Sequence, residues 1–358
     1  MRRNGFAIGK NRIDFNSPVF TIAEVGSNFR ISNDPKTNFN QALKLIDIAA
    51  AACCDCVKFQ LFRASKLYIK KAGGADYLGK KNDIYNLVQE AELPYEWLDG
   101  LKSHCDKRQI LFAASPFDAE SADELEKLGV PLYKIASYSI TDFPFLAYVA
   151  KKRKPMVLST GASDLEEIKE AIGVIEKAGN KNIIILQCTA KYPASLSSLN
   201  LRAIKTLQDV FPYPIGLSDH SREPLLAPLG AVALGARVVE KHFTTDNKLP
   251  GPDHVFAVLP KELKEMVCAI RQMEEALGED KKKVYRQEEE LREFARHFIY
   301  SVKPIKRGER FTPENIASLR PGKSERGLPP KFYDLIIGKK AAKDIPNQKP
   351  IKKETVKW

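Results

Sequence analysis

A (β/α)8 barrel followed by a small second domain is the fold class this sequence predicts. Three observations carry it. Eight short apolar, β-branched runs recur along the first 240 or so residues; the segments between them have helical spacing; and the texture of the chain changes near residue 297. Eight alternations of this kind fit a closed barrel better than an open doubly wound sheet, which stays as the competing arrangement.

The strand runs, in order, are Val19 to Val25, Cys56 to Phe59, Ile110 to Ala113, Leu132 to Ile135, Met156 to Leu158, Ile183 to Leu186, Tyr213 to Leu217 and Arg237 to Glu240. Between them, Ala42, Leu45, Ile46 and Ala49 form one helical stripe, and Ile168, Ala171, Ile172 and Ile175 another. Ser163-x-x-Glu166 reads as the capping box of the latter. A last barrel helix is predicted over Pro260 to Leu277. From Gly278 to Arg296 the chain is dominated by charge, with Lys281-Lys282-Lys283 and Glu288-Glu289-Glu290, and reads as a solvated connector. Beyond it come short strands, glycines and prolines, with Thr312-Pro313-Glu314 read as a helix start. The predicted organisation is a barrel over 1–280, a linker over 281–296 and a small domain over 297–358.

Composition narrows the function classes. The 358 residues are 44% hydrophobic and 28% charged, without an apolar run of the ~18 residues a membrane span needs. The formal charge is +12, and residues 281 to 358 alone hold 21 Lys+Arg against 10 Asp+Glu. The barrel is therefore nearly neutral and the basicity belongs to the tail. That tail lacks an aromatic stacking array or a recognised motif, which argues against a nucleic-acid partner. Met1-Arg2-Arg3 is not followed by the apolar stretch of a secretory signal, so the expected compartment is the cytoplasm, without membrane attachment. Cys53-Cys54-Asp55-Cys56 contains a C-x-x-C spacing but no second one, and is read as small buried residues.

In a barrel of this kind the active site forms at the C-terminal ends of the strands. Polar residues gather there: Glu24, then Lys58 and Gln60, Ser115, Lys134 and Ser137, Ser159 and Thr160, Thr189 and Tyr192, Ser218-Asp219-His220, and Glu240-Lys241-His242. A lysine inside an apolar run is costly to bury without an anionic partner, so Lys58 and Lys134 argue for a bound anion. With Ser137, Ser159, Thr160, Ser218 and the Thr160-Gly161 turn, the donors suit a phosphate. His220 and His242 end adjacent strands, where two imidazoles either share a divalent cation or form a hydrogen-bonded structural pair. His104 and His297 read as surface or packing residues.

These stretches resemble the sialic acid (N-acetylneuraminate) synthase family. The resemblance is carried by Ile22-Ala23-Glu24-Val25-Gly26, Val57-Lys58-Phe59-Gln60, Tyr133-Lys134-Ile135-Ala136-Ser137, Leu158-Ser159-Thr160-Gly161, Gly216-Leu217-Ser218-Asp219-His220, Glu240-Lys241-His242-Phe243 and Pro250-Gly251-Pro252-Asp253. Ala190-Lys191-Tyr192-Pro193 is closest to the spore-coat polysaccharide synthase type. Ile305-Lys306-Arg307-Gly308, Leu319-Arg320-Pro321-Gly322 and Lys343-Asp344-Ile345 are similar to its antifreeze-like (SAF) domain.

The resemblance implies a transferase that joins phosphoenolpyruvate to an N-acetylated amino sugar such as N-acetylmannosamine, releasing phosphate by C–O cleavage. Legionaminic or pseudaminic acid synthesis from a 2,4-diacetamido-trideoxyhexose is the alternative within the family; a catalytically dead barrel with a nucleic-acid-binding tail is the alternative outside it. By the same resemblance, His220 and His242 hold a divalent ion, manganese or magnesium. Lys58, Ser115, Lys134, Ser137, Ser159 and Ser218 surround phosphoenolpyruvate, Glu24 is the acid/base group, and Gln60, Tyr192 and Asp253 contact the open-chain sugar. Arg320 reaches the barrel of the other subunit in a domain-swapped homodimer. Two positions depart from the family pattern: Phe29 stands where a histidine is usual, and Ala190 where Asn or Ser is frequent.

Overall fold

The structure is a computed structural model that describes residues 5–74 and 83–358. The chain divides into two compact units, Met1–Gly278 and Glu279–Trp358.

The first unit opens with a hairpin, β1 (Phe6–Ile8) and β2 (Asn11–Ile13), whose two-residue turn begins at Gly9 with φ 58°. Positive φ at that position is what a tight hairpin turn requires. Eight parallel strands follow: β3 (Phe20–Glu24), β4 (Cys56–Leu61), β5 (Leu111–Pro116), β6 (Tyr133–Ile135), β7 (Met156–Ser159), β8 (Ile183–Cys188), β9 (Ile215–Asp219) and β10 (Val238–His242). They pair in the order β5-β4-β3-β10-β9-β8-β7-β6. The two end strands, β5 and β6, lie side by side, so the sheet is a nearly closed barrel with helices around it. Each of the eight sequence-predicted runs falls on one of these strands.

The hairpin is not evident from the sequence pattern, because its two strands are only three residues each. Its Ile8 and Ile13 are fully buried with Phe20, Ile22, Cys56, Leu132, Val157, Ile184 and Val238. It thus plugs the N-terminal end of the barrel, and leaves the C-terminal end as the open one.

Local details differ from expectation in three places. The helix Leu165–Lys177 is capped by Asp164, not Ser163: the Asp164 carboxylate accepts from the Glu166 and Glu167 amides, and Glu167 accepts from the Asp164 amide. Both residue types cap well, and the carboxylate one position on satisfies two amides at once. Thr312-Pro313-Glu314 starts no helix. Asn315 Oδ1 takes the Thr312 amide and closes a turn that delivers Ile316 into a strand. Cys53 is exposed, since it leaves the helix Pro35–Ala51 through a left-handed φ of 60°; Cys54 and Cys56 are buried as expected.

Burial raises the Cys54 and Cys56 thiols, and pushes Cys105 up to about 12. Thiolate is the reactive form. Brief alkylation of the native protein should therefore label Cys53 and Cys268 and spare Cys54, Cys56 and Cys105, read by mass spectrometry of the peptides.

The second unit contains the helix Arg286–Ala295, which falls in the segment read as a connector and buries no residue. Then come two antiparallel pairs: β11 (Phe298–Ser301) with β12 (Ile316–Leu319), and β13 (Lys340–Ala341) with β14 (Val356–Lys357). Ile299, Ile305, Phe311, Ile316, Ile336, Ile345 and Ile351 form its own core. None of its lysines or arginines is buried, so the basic charge of the tail is surface charge. Among the described residues, no helix is long and apolar enough to cross a membrane.

Candidate active site at the open end of the barrel

Strand alternation builds the site. Side chains two apart share a face of a strand. On the face turned to the lumen, the strands read Phe20-Ile22-Glu24, Cys56-Lys58-Gln60, Ala113-Ser115, Leu132-Lys134, Val157-Ser159, Gly216-Ser218 and Val238-Glu240-His242. The lower layer is apolar and the upper layer is polar. The same alternation that packs the plug against the floor thus brings acids, lysines, hydroxyls and an imidazole together above it.

Two buried lysines share one buried acid. Lys58 Nζ lies 2.5 Å from Glu24 Oε2 and 3.8 Å from Glu240 Oε2, and donates to Ser115 Oγ at 3.1 Å. Lys134 Nζ lies 3.5 Å from Glu240 Oε1 and donates to Ser159 Oγ at 2.7 Å. Ser218 donates to Glu240 Oε1 at 3.1 Å, and Gln60 donates to Glu24 Oε1 at 2.7 Å.

The two carboxyls are driven apart. Burial raises Glu24, and repulsion from Glu240 adds to it beyond what Lys58 offsets. Burial acts on Glu240 as well, but Lys134 and Lys58 outweigh it and hold Glu240 down at about 2. Environments that separate paired carboxyls in this way assign one to carry a proton and the other a charge. Desolvation lowers Lys134, whereas Lys58, facing both acids, is raised despite its burial.

The imidazoles sit higher. The rings of His220 and His242 have centroids 5.5 Å apart. His220 Nδ1 is 2.9 Å from the Thr189 carbonyl oxygen. That oxygen only accepts, so Nδ1 carries a hydrogen toward it and Nε2 is the nitrogen turned to serve as a ligand. Burial pushes His242 down to about 4, which keeps its ring neutral, and its buried Nδ1 has no hydrogen-bond partner among the described residues. The Tyr192 ring lies tilted against His220, centroids 4.2 Å apart, and Phe256 lies 5.0 Å from the His242 ring.

Two imidazoles that each leave a ring nitrogen for a ligand, Nε2 of His220 and Nδ1 of His242, are a donor set that fits a divalent ion. No third His, Cys, Asp or Glu groups with them for that purpose among the described residues. Remaining coordination positions would fall to water or substrate oxygen.

A chamber of about 660 Å3 opens over this layer. It is lined by every predicted barrel residue: Glu24, Lys58, Gln60, Ser115, Lys134, Ser137, Ser159, Tyr192, Ser218, His220, His242 and Asp253. Arg320 belongs to the second unit, exposed just after β12. Ser137 Oγ accepts from the Gly161 amide at 3.0 Å. A Cβ on Gly161 would come within 2.9 Å of that hydroxyl and 3.0 Å of the Ala190 Cβ, so the turn depends on glycine. Asp253 is held over the chamber by the Ser27 amide and hydroxyl, each at 2.9 Å.

Other polar candidates turn out to be structural. Thr160 donates to the Leu186 carbonyl and Thr189 to the Ser198 carbonyl. His104 pairs with Asp47 at 2.7 Å, outside the site. Phe29, one of the two departures, is buried against Trp97 at 6.1 Å, so it belongs to the core and is no chamber residue.

Three residues at or beside the site were given no role from the sequence. Glu240 is the hub between both lysines, and its position two before His242 on one strand was the available signal. Cys188 lies 3.7 Å from His220 Nδ1 and accepts from Ser137 at 3.6 Å. His254 is fully buried, bonded to Thr244 Oγ1 at 2.6 Å under the loop that carries Asp253; no periodicity marks it.

Known proteins place this geometry in a family. The chain matches the NeuB family over residues 45–282 and the SAF domain over residues 297–357. It is 42% identical over 357 residues to the spore coat polysaccharide biosynthesis protein SpsE of Bacillus subtilis, covering 95% of this chain and 94% of that protein. It is 41% identical over 329 residues to the N,N'-diacetyllegionaminic acid synthase of Campylobacter jejuni, covering 90% and 96%. The crystal structure of N-acetylneuraminic acid synthetase from Leptospira borgpetersenii in complex with citrate has a TM-score of 0.72 and 34% identity, over 82% of this chain and 96% of that one. On family match, relatives and barrel alike, this chain belongs to the NeuB family and carries a C-terminal SAF domain.

Proposed function

We propose that the protein is a phosphoenolpyruvate-dependent synthase that forms a nonulosonic acid by condensing phosphoenolpyruvate with an N-acetylated amino sugar, N-acetylmannosamine in the first instance. The observation that carries this reading is the buried lysine pair bridged by Glu240 and ringed by serine hydroxyls. Without substrate, Glu240 compensates two ammonium groups that would otherwise be costly to bury. An arriving phosphate and carboxylate give those ammonium groups further partners, and the hydroxyls of Ser115, Ser137, Ser159 and Ser218 complete a fixed donor set that needs little reorganisation during reaction.

His220 and His242 would hold a divalent ion, manganese or magnesium, which when bound supplies Lewis-acid polarisation of an aldehyde oxygen. The chain's own groups do the rest. Gln60, Tyr192 and Asp253 orient the open-chain sugar against the enol carbon. Glu24, oriented by Gln60 and raised by its burial, handles the proton of the water that adds before phosphate departs. The enzyme works in the cytoplasm on small molecules.

Incubation with manganese, phosphoenolpyruvate and N-acetylmannosamine should release phosphate and yield a 2-keto acid of the summed carbon skeleton. Absence of turnover with this sugar and with 2,4-diacetamido-trideoxyhexoses would overturn the reading. A second reading has its own observation: the chamber lining also includes the apolar Phe62, Leu67, Ile84, Leu87, Val88 and Phe117. An apolar lining of this kind suits an acceptor with a deoxygenated carbon and a second acetamido methyl. The ratio of kcat/KM for the two sugars separates the readings.

The proposal extends to a domain-swapped homodimer in which Arg320 of a second copy lines the chamber mouth. A charge-assisted contact of this kind is worth about 1.5–3 kcal/mol. Arg320→Ala should accordingly raise KM about 10- to 100-fold while the dimer, followed by light scattering, stays intact.

A further inference from the structure

Glu240 and His242 face the lumen, so the residue between them on β10 faces the helix layer. That residue is Lys241, a lysine with no exposure at all. Its ammonium lies 2.6 Å from Asp219 Oδ2, and donates to the Ser221 carbonyl at 2.5 Å, the Glu223 carbonyl at 2.8 Å and the Ser221 hydroxyl at 3.2 Å. Asp219 Oδ1 in turn accepts the Ser221 amide at 2.8 Å. The turn that leaves β9, from its last residue Asp219 to Glu223, is therefore wrapped around one buried cation.

His220 lies in the middle of that wrapped segment. Its carbonyl accepts the Ala194 amide at 3.0 Å, and its Nδ1 donates to the Thr189 carbonyl. Those two bonds fix the ring only if the backbone of residue 220 is itself fixed. Lys241 supplies that constraint from outside the barrel, with acceptors on both sides of His220 in sequence. One strand, β10, thus presents His242 directly and places His220 through the turn.

We propose that Lys241 is a positioning residue: by clamping the Asp219–Glu223 turn it holds His220 with Nδ1 on the Thr189 carbonyl and Nε2 available in the chamber. As far as metal affinity is concerned, this rests on the reading of His220 and His242 as the metal-holding pair. The tautomer of His220 does not depend on that reading.

The test is Lys241→Met, which keeps the apolar stem and removes the ammonium, compared with the parent protein and with Leu263→Ala, a core truncation on the helix Pro260–Leu277 that leaves the clamp intact. Nitrogen-15 NMR of histidine-labelled, metal-free protein should show His220 as the Nδ1–H tautomer in the parent and in Leu263→Ala, and as a tautomer mixture in Lys241→Met. Manganese affinity, by titration calorimetry, should fall about 10- to 100-fold in Lys241→Met, the usual consequence of losing a group that orients a ligand. Phosphoenolpyruvate affinity should stay within about twofold, because its donors sit on other strands.

A folded Lys241→Met protein with the His220 tautomer unchanged overturns the proposal. Should that variant not fold, Asp219→Asn preserves shape while removing the charge from the clamp, and the same tautomer measurement decides. If the parent binds no manganese, the metal reading fails by itself, and the tautomer result still upholds or overturns the clamp.

Discussion

Lys134→Met should reduce kcat/KM for phosphoenolpyruvate by about two to three orders of magnitude, with the sugar KM little changed. Lys134 is buried, held by Ser159 at 2.7 Å, and 3.5 Å from Glu240. Methionine has nearly the volume of the lysine stem, so packing is retained and the loss is electrostatic. Two costs combine. The incoming anion loses an ammonium donor, and Glu240 is left with Lys58 as its remaining cationic partner in a dry site, where truncating one member of a charge group typically costs about 2–5 kcal/mol. Initial rates at varied phosphoenolpyruvate and fixed sugar give the effect. A loss below about tenfold would mean that Lys134 serves the Glu240 network and not the substrate. The double variant Lys134→Met with Glu240→Gln sharpens the point: if part of the damage is an uncompensated carboxylate, removing that carboxylate should recover some stability without recovering the rate.

That network shows which parts of the molecule can be read from a sequence. The eight strands announce themselves because each is a buried β-branched run, and the polar residue at each upper end interrupts the run at the level where the lumen stops being packed. Lys58 and Lys134 stand out for the same reason. What pattern does not contain is which of several polar neighbours meets which. Glu240 and Lys241 are adjacent in sequence and both buried, yet one bridges Lys58 and Lys134 and the other binds the turn outside the barrel. Parity along β10 separates them once the register of the strand is known, and the sequence leaves that register open by a residue. His254 and the plug hairpin escaped for a different reason. Their burial comes from tertiary closure over loops and three-residue strands, where no period has room to develop. Phe29 shows a further limit: a departure from a family pattern does not say where the side chain goes, and here it packs on Trp97 while the neighbouring Asn28 donates to the Phe243 carbonyl at 2.8 Å.

Glu24→Gln should lower kcat by about 10²- to 10⁴-fold, the range for removing a positioned acid or base, while phosphoenolpyruvate affinity changes little. Glutamine keeps the shape: its one oxygen can accept from Lys58, and its NH2 can donate to the Gln60 carbonyl once that amide turns over, so the loss is chiefly one of proton transfer. The sign of the pH dependence follows from the direction of the shift. Burial and the neighbouring Glu240 raise Glu24 above the ordinary 4.5, so the parent's rate should climb with pH through a limb lying above the normal carboxylate range, and the variant's residual rate should lack that limb. Stability runs the other way. A carboxyl raised in the folded state binds its proton more tightly there than in the unfolded chain, so its contribution is complete below the unfolded value and is lost as pH rises through the folded one. The neutral amide introduced by Glu24→Gln carries no such penalty. The melting temperature of this variant relative to the parent should therefore increase from acidic to alkaline pH, as scanning calorimetry at a series of pH values would show. A rate limb that persists in the variant would move the acid/base role to another group. A flat difference in melting temperature would mean that Lys58 compensates Glu24 fully, and that the acid enters the reaction already ionised.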